Sequence, residues 1–181
     1  AEFDIEICFD VSLSKKLTDF KPNYRTGEIS EKIARDGKLS QMYKIVSGIL
    51  GKTFSSADIE ILYSMHDYKL TPEVIAVMVE YFVGRGKATM RKLEKEAQKW
   101  AENGVDTVTK AKKHIKKREE FLSYAGNIKR IIGANERKLT SKELEFAAKW
   151  QAELKATPEL IKQAYEITVN QTGKVSFNYM N

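Results

Sequence analysis

One stretch of this chain occurs twice, and the repetition limits the fold more than any other feature. Residues 71–100 read TPEVIAVMVEYFVGRGKATMRKLEKEAQKW, and residues 157–181 read TPELIKQAYEITVNQTGKVSFNYMN. Thr71-Pro72-Glu73 matches Thr157-Pro158-Glu159, and Val74-Ile75 matches Leu160-Ile161. Glu80 falls on Glu166, and Gly86-Lys87 falls on Gly173-Lys174 after a one-residue slip. Met90 then falls on Phe177 and Leu93 on Met180. Upstream, the run from Phe54 to Glu60 lies against the run from Leu139 to Glu145. Self-similarity at a fixed offset defines the structural unit. Here that unit is a short helical module used twice, with the second copy cut short.

The hydrophobic period inside the unit is helical. Leu39, Met42, Tyr43, Val46, Ile49 and Leu50 form an i, i+3, i+4, i+7 stripe, and Gly51 can stop that helix. Ser55 with Asp58 approximates a capping box, ahead of an inner face of Ile59, Leu62, Tyr63 and His66. Thr71 caps the next helix and Pro72 takes its first position, where a missing N–H costs nothing. Ile75, Met78, Val79 and Phe82 form its inner face, and Gly84 and Gly86 end it. A fourth helix is predicted from about Thr89 to Asn103, with Met90, Leu93, Ala97 and Trp100 inward. Thr107 opens a long one through Val108, Ala111, Ile115, Leu122, Ala125, Ile128 and Ile132, reaching toward Gly133 with or without a break near Gly126.

The second copy replays the plan. Thr140 and Glu143 make a capping box, followed by Leu144, Ala147, Ala148 and Leu154 on one face, with Phe146 and Trp150 on its flank. After Thr157, the apolar side is Leu160, Ile161, Ala164, Tyr165 and Thr168. Caps mark starts where the periodicity does, and agreement between levels supports an all-α fold, a tandem duplicated helical module.

A short extended arm precedes it. Phe3, Ile5, Ile7, Phe9 and Val11 alternate with polar residues as in a strand. Such an arm pairs with another copy or a further domain, or lies extended on the helical body. Residues 12–27 read as linker, and Glu28 to Asp36 as a short helix. The expected organisation is an arm over 1–38, a first module over 39–120 and a second over 121–181.

Charge narrows the function. The net charge is +6, with 42% apolar and 31% charged residues, as in an ordinary globular protein. Between Arg85 and Arg118 there are twelve Lys/Arg against four Asp/Glu, a local excess of eight positive charges. Such an excess speaks about partners, and polyanions are the expected ones. The single cysteine, Cys8, cannot form an internal disulfide, which points to a reducing compartment and a cytoplasmic location. No apolar run approaches the roughly 18 residues a membrane span needs. The first residues are acidic, unlike a signal peptide. The chain begins at Ala1 rather than Met, consistent with a fragment or a tag remnant.

Catalytic and metal motifs are missing. His66 and His114 lie far apart and in no ligand spacing, so no metal or other cofactor is expected, and His66 reads as a partly buried core residue. Gly84-Arg85-Gly86-Lys87-Ala88-Thr89 superficially resembles a phosphate loop. It lacks the first glycine, has Ala88 where Ser or Thr would bind magnesium, and follows a helix rather than a strand. No nucleophile has a base and an orienting partner, so no enzyme is expected. The basic helix carries more. Lys110, Lys113 and Lys117 share a face, Lys112 and Lys116 lie beside them, and Arg118 extends the patch. Val108, Ala111 and Ile115 face elsewhere. Like charges at this spacing repel by a few tenths of a kcal/mol per pair, which an anionic partner relieves. A merely solvated face is the alternative. An anionic lipid surface is a third, weakened by the lack of bulky aromatics on the apolar side of 107–118.

The run from Leu70 to Ala111, with GKTFSSADIEILYSM upstream, resembles the DnaD domain, a helical module of replication-initiation proteins in low-GC Gram-positive bacteria and their phages. LTSKELEFAAKW followed by ATPELIKQAYEITVNQTGKVSFNYMN resembles it equally, so two copies cover about residues 39 to 181. The resemblance implies a non-enzymatic protein that binds single- or double-stranded DNA with little sequence preference. It also implies homo-oligomers, and the recruitment of helicase machinery through replication-initiation proteins or a helicase loader. Membrane attachment is linked to related members. The family motif places Tyr, Ile and Trp at four-residue spacing. Lys92, Glu96 and Trp100 hold those positions in the first copy, and Tyr179 fits the first of them in the second. The nucleic-acid-binding candidates are Arg85, Lys87, Arg91, Lys92, Lys110, Lys112, Lys113, Lys116, Lys117 and Arg118. A protein–protein scaffold without DNA contact is the alternative.

Overall fold

The computed structural model describes residue 31, residues 35–86 and residues 88–181. The alternating segment, the linker reading of 12–27 and most of the helix expected over 28–36 lie outside those residues, as does Lys87. Within 28–36, Glu31 and Arg35 are helical and Asp36 is not. The described residues are all-α, with no strand among them: α1 Gly37–Leu50, α2 Ser56–Asp67, α3 Pro72–Gly84, α4 Met90–Glu102, α5 Val108–Ile131, α6 Ser141–Ala152, α7 Pro158–Thr172 and α8 Phe177–Met180. The chain divides into two compact units between Lys116 and Lys117, inside α5.

The first core gathers Leu39, Met42 and Val46 of α1, Leu62 and Met65 of α2, and Val74, Ile75, Met78, Val79 and Phe82 of α3. Leu93, Ala97 and Trp100 of α4 and Ala111 of α5 complete it, and none of these exceeds 1% exposure. Each large side chain buried this fully contributes about 1.5–3 kcal/mol. The second core holds Phe121, Tyr124, Ala125 and Ile128 of α5, Leu144, Ala147 and Trp150 of α6, Ile161 of α7 and Phe177 of α8. Trp150 and Phe177 stack with centroids 5.2 Å apart and planes at 9°.

The repeat survives in backbone detail. Ser55 and Thr140 both close capping boxes, with Asp58 and Glu143 reaching back to the cap N–H at 3.0 and 2.8 Å. A cation at the same position holds each carboxylate: Lys52 Nζ lies 3.0 Å from Asp58 Oδ1, and Arg137 grips Glu143 through two bonds of 2.7 and 2.6 Å. Thr71 and Thr157 accept from Val74 and Leu160 N–H. Two residues before each threonine, Lys69 and Lys155 adopt φ of 58° and 51°. The second half of α5 also matches α1 in spacing: Phe121, Tyr124, Ile128 and Ile132 are set apart as Leu39, Met42, Val46 and Leu50 are. Both runs end at a left-handed glycine, Gly51 at φ 63° and Gly133 at φ 69°.

Some expectations change. Met65, not part of the predicted face, is fully buried in α2, whereas His66 is half-buried. α5 runs unbroken through Gly126. Leu154 was expected on the apolar face of α6 but is 54% exposed, because α6 ends at Ala152 and the chain turns away before the next period. Trp150, expected on the flank, is central at 1% exposure. Leu160, expected on the inner side of α7, is 53% exposed.

Candidate nucleic-acid interface

The rotation of α5 is fixed from its start. Thr107 Oγ1 accepts from Lys110 N–H at 3.3 Å, and Ala111 sinks to 0% exposure with Val108 and Ile115 packed beside it. Across the same contact, the Trp100 ring meets the His114 ring edge-on, with centroids 5.3 Å apart. With that side committed to the core, Lys110, Lys112, Lys113, Lys116 and Lys117 are exposed to water and Arg118 is half-buried.

These cations are not equivalent. Lys110 Nζ is held 2.7 Å from Asp106 Oδ1 and 3.1 Å from the Gly104 carbonyl. The Lys110 hydrogen bond in turn keeps the Asp106 carboxyl below its ordinary pKa. Lys116 and Arg118 each interact with a neighbouring group. Lys112, Lys113 and Lys117 have no partner among the described residues. Lys113 and Lys117 are one turn apart, so their cationic heads stand on one face of the helix. Arg85 sits just past the end of α3 with its guanidinium carbon 5.8 Å from the Tyr81 ring centroid. On α4, Arg91 is exposed while Lys92 is half-buried and engaged. The ridge therefore resolves into three lysines on α5 that are unengaged among the described residues, with Arg91 exposed on α4.

No group of three His, Cys, Asp or Glu side chains among the described residues could hold a metal. His66 Nε2 lies 3.4 Å from Asp36 Oδ2, and Asp36 is the cap of α1, accepting from the N–H of Lys38 and Leu39. Those backbone bonds, the Leu39 one first, lower the Asp36 pKa. Among the described residues, no helix is long and apolar enough to cross a membrane.

Two segments, 43–115 and 129–181, match the family described as replication initiation and membrane attachment, and together they make up more than half of the chain. The chain belongs to that family. The two segments fall on the two copies of the repeat, in keeping with two DnaD-like modules. No curated protein and no solved structure shows significant similarity to the chain.

Within the family, the motif positions have divided fates. Trp100 is 1% exposed and sits in the first core. Glu96, a charged residue, is 2% exposed and engaged. The signal was present: Glu96 lies three residues after Leu93 and four before Trp100, so the apolar stripe of α4 runs through it. Tyr179, on α8, is 52% exposed and its hydroxyl donates to Gln171 Oε1.

Proposed function

We propose that this chain is a DNA-binding and assembly module of replication initiation, acting without catalysing a reaction. It holds single- or double-stranded DNA through its phosphates, with no sequence preference. It works in the cytoplasm as a homo-oligomer and helps bring helicase machinery through replication-initiation proteins or a helicase loader. The modules over 39–120 and 121–181 are its two working parts. The observation that carries this reading is the exposed set Lys112, Lys113 and Lys117, without a partner among the described residues, on a helix whose other side is anchored in the core. Released counterions drive such binding, so affinity falls steeply with salt.

Fluorescence anisotropy with labelled duplex and single strands, across a salt series, tests it. Reversing Lys112, Lys113 and Lys117 to Glu should weaken binding to all sequences alike. It should also flatten the logarithmic salt slope by about two to three units, roughly 0.7–0.9 for each lost phosphate contact. Binding that ignores salt, or a reversed variant that binds like the parent, overturns the proposal.

The burial of Trp100 and Glu96 favours a second reading, a protein–protein scaffold without DNA contact, because two motif positions are then structural. That reading expects the reversed lysines to leave partner binding intact. The family description also names membrane attachment. On α5 lipid is the weaker partner, since Val108, Ala111 and Ile115 are turned into the core and no apolar side is left to enter a bilayer. Co-sedimentation with anionic vesicles checks that directly.

A further inference from the structure

Six large apolar side chains are exposed among the described residues, and five of them, Leu154, Leu160, Ile167, Val175 and Tyr179, fall between 154 and 179. On α7, Leu160, Ala164, Ile167 and Gln171 recur at i, i+4, i+7 and i+11, which makes one stripe along the helix. Leu160 is 53% and Ile167 54% exposed. The Tyr179 hydroxyl bonds to Gln171, so the Tyr179 ring extends the stripe at its far end. In the first copy the counterparts of Leu160 and Ala164 are Val74 and Met78, both 0% exposed. The Leu160 end of the stripe is thus interior in the first copy and open in the second, while Tyr81, the counterpart of Ile167, is half-buried.

We propose that this stripe is a self-association surface, where α7 of one chain packs antiparallel on α7 of a second copy. The inference deepens the assembly part of the function above and does not depend on DNA binding. Its Leu160–Ala164–Ile167 part reads large, small, large in both directions. In an antiparallel pair, Leu160 lies against Ile167 of the other copy, and Ala164, the small residue midway, falls at the crossing where two backbones come closest. An isologous contact sets a patch against itself, so a charged patch would repel its own image. Here the residues beside the middle of the stripe are the uncharged Gln163 and Asn170, with Glu159 at its start, whereas the lysines of α5 would oppose such a contact. The charged residues next along α7, Lys162 and Glu166, already lie 3.9 Å apart within one chain. The stripe offers a few hundred Å² at most, against the roughly 800 Å² per partner of a standard stable interface. A weak, concentration-dependent dimer is the expected species.

Sedimentation velocity over a wide concentration range tests this on the full chain with Cys8→Ser. The parent should pass from monomer to dimer, and Ile167→Glu and Leu160→Gln should stay monomeric with unchanged circular dichroism. Ala164→Cys in the same background should oxidise to a cross-linked dimer. All of these variants should keep the salt-dependent DNA binding of the parent, which separates this surface from the lysine ridge. A parent that is monomeric throughout, or an Ile167→Glu variant that still dimerises, overturns the assignment. So does a monomeric parent that floats with vesicles until Ile167 is replaced, which would hand the stripe to lipid.

Discussion

The two modules share their helix ends and differ in their interiors. Both copies use a hydroxyl cap, a carboxylate three residues on, a cation gripping that carboxylate, and a left-handed lysine before the Thr-Pro start. Yet Val74 is fully buried where Leu160 is half exposed. Phe82, at 1% exposure, gives way to Thr168, also at 1%, whose hydroxyl is satisfied by donating to the Ala164 carbonyl at 2.7 Å. Helix ends are decided by a few neighbouring residues, so duplication carries them along intact. Burial is decided by whatever packs on the helix, so it diverges once the surroundings change.

The strongest way to break that contrast is to place one charge at equivalent positions. Val74→Asp puts a carboxylate where no water reaches and no partner waits, and it should cost several kcal/mol, on the order of 3–5. Leu160→Asp adds the same group to an open surface and should change stability by no more than about 0.5 kcal/mol. Urea unfolding below the concentration at which the chain dimerises measures both. Equal losses would mean that Leu160 is covered, and that the two modules bury this stripe alike.

The sequence showed the helices because their signals are local. Thr71-Pro72, Thr157-Pro158, Ser55 with Asp58 and Thr140 with Glu143 state their own geometry, and the structure has a helix starting after each. The stripe of α4 was equally readable. Other parts depend on distant contacts and were not. Glu96 obeys the apolar period but is charged, so type and position disagree, and only the fold shows that position wins. Leu160 is apolar and in phase, yet its exposure depends on what packs against it. The likeness of the second half of α5 to α1 was hidden for a different reason. Between residues 37–51 and 119–133 only Ile49 with Ile131 and Gly51 with Gly133 are identical, while the spacing of the inward-facing apolar residues is kept. Among the cationic candidates, sequence could place Lys112, Lys113 and Lys117 on the water side. It could not show that Lys110 is already held by Asp106.

A smaller effect tests the shared helix ends. Glu143 takes two Arg137 bonds and the Thr140 N–H, and these, the Arg137 hydrogen bonds first, hold its carboxyl below the ordinary range despite partial burial. For Asp58, burial pushes upward, but the Ser55 N–H and Lys52 outweigh it and the carboxyl is again lowered. A depressed carboxyl stabilises the fold fully above its unfolded pKa and loses that contribution as pH falls through the folded value. Stability should therefore decline below the ordinary Glu range, and Arg137→Ala should make the decline shallower. At neutral pH, Glu143→Gln and Asp58→Asn should each cost about 1 kcal/mol, the worth of a cap, since exposed ion pairs add little. Thermal melts from neutral to acid pH read both. If Glu143→Gln leaves the acid limb untouched, the clamp around α6 is ornamental and the likeness to α2 is one of sequence only.

The smallest effect is the most exacting check of the repeat. Lys69 and Lys155 hold φ values near +55°, a region that costs a residue with a Cβ about 1–2 kcal/mol. Glycine removes that strain but adds about 0.5–1 kcal/mol of chain entropy to the unfolded state. Lys69→Gly and Lys155→Gly should thus each stabilise the protein by about 0.5 kcal/mol. The two gains should be alike, because each loop does one job: it turns the chain from a capped helix into a Thr-Pro start. A gain at one site and a loss at the other would mean that one lysine side chain is held by its module for a reason beyond the turn. The turn would then be the one part of the helix ends that duplication had not carried over unchanged.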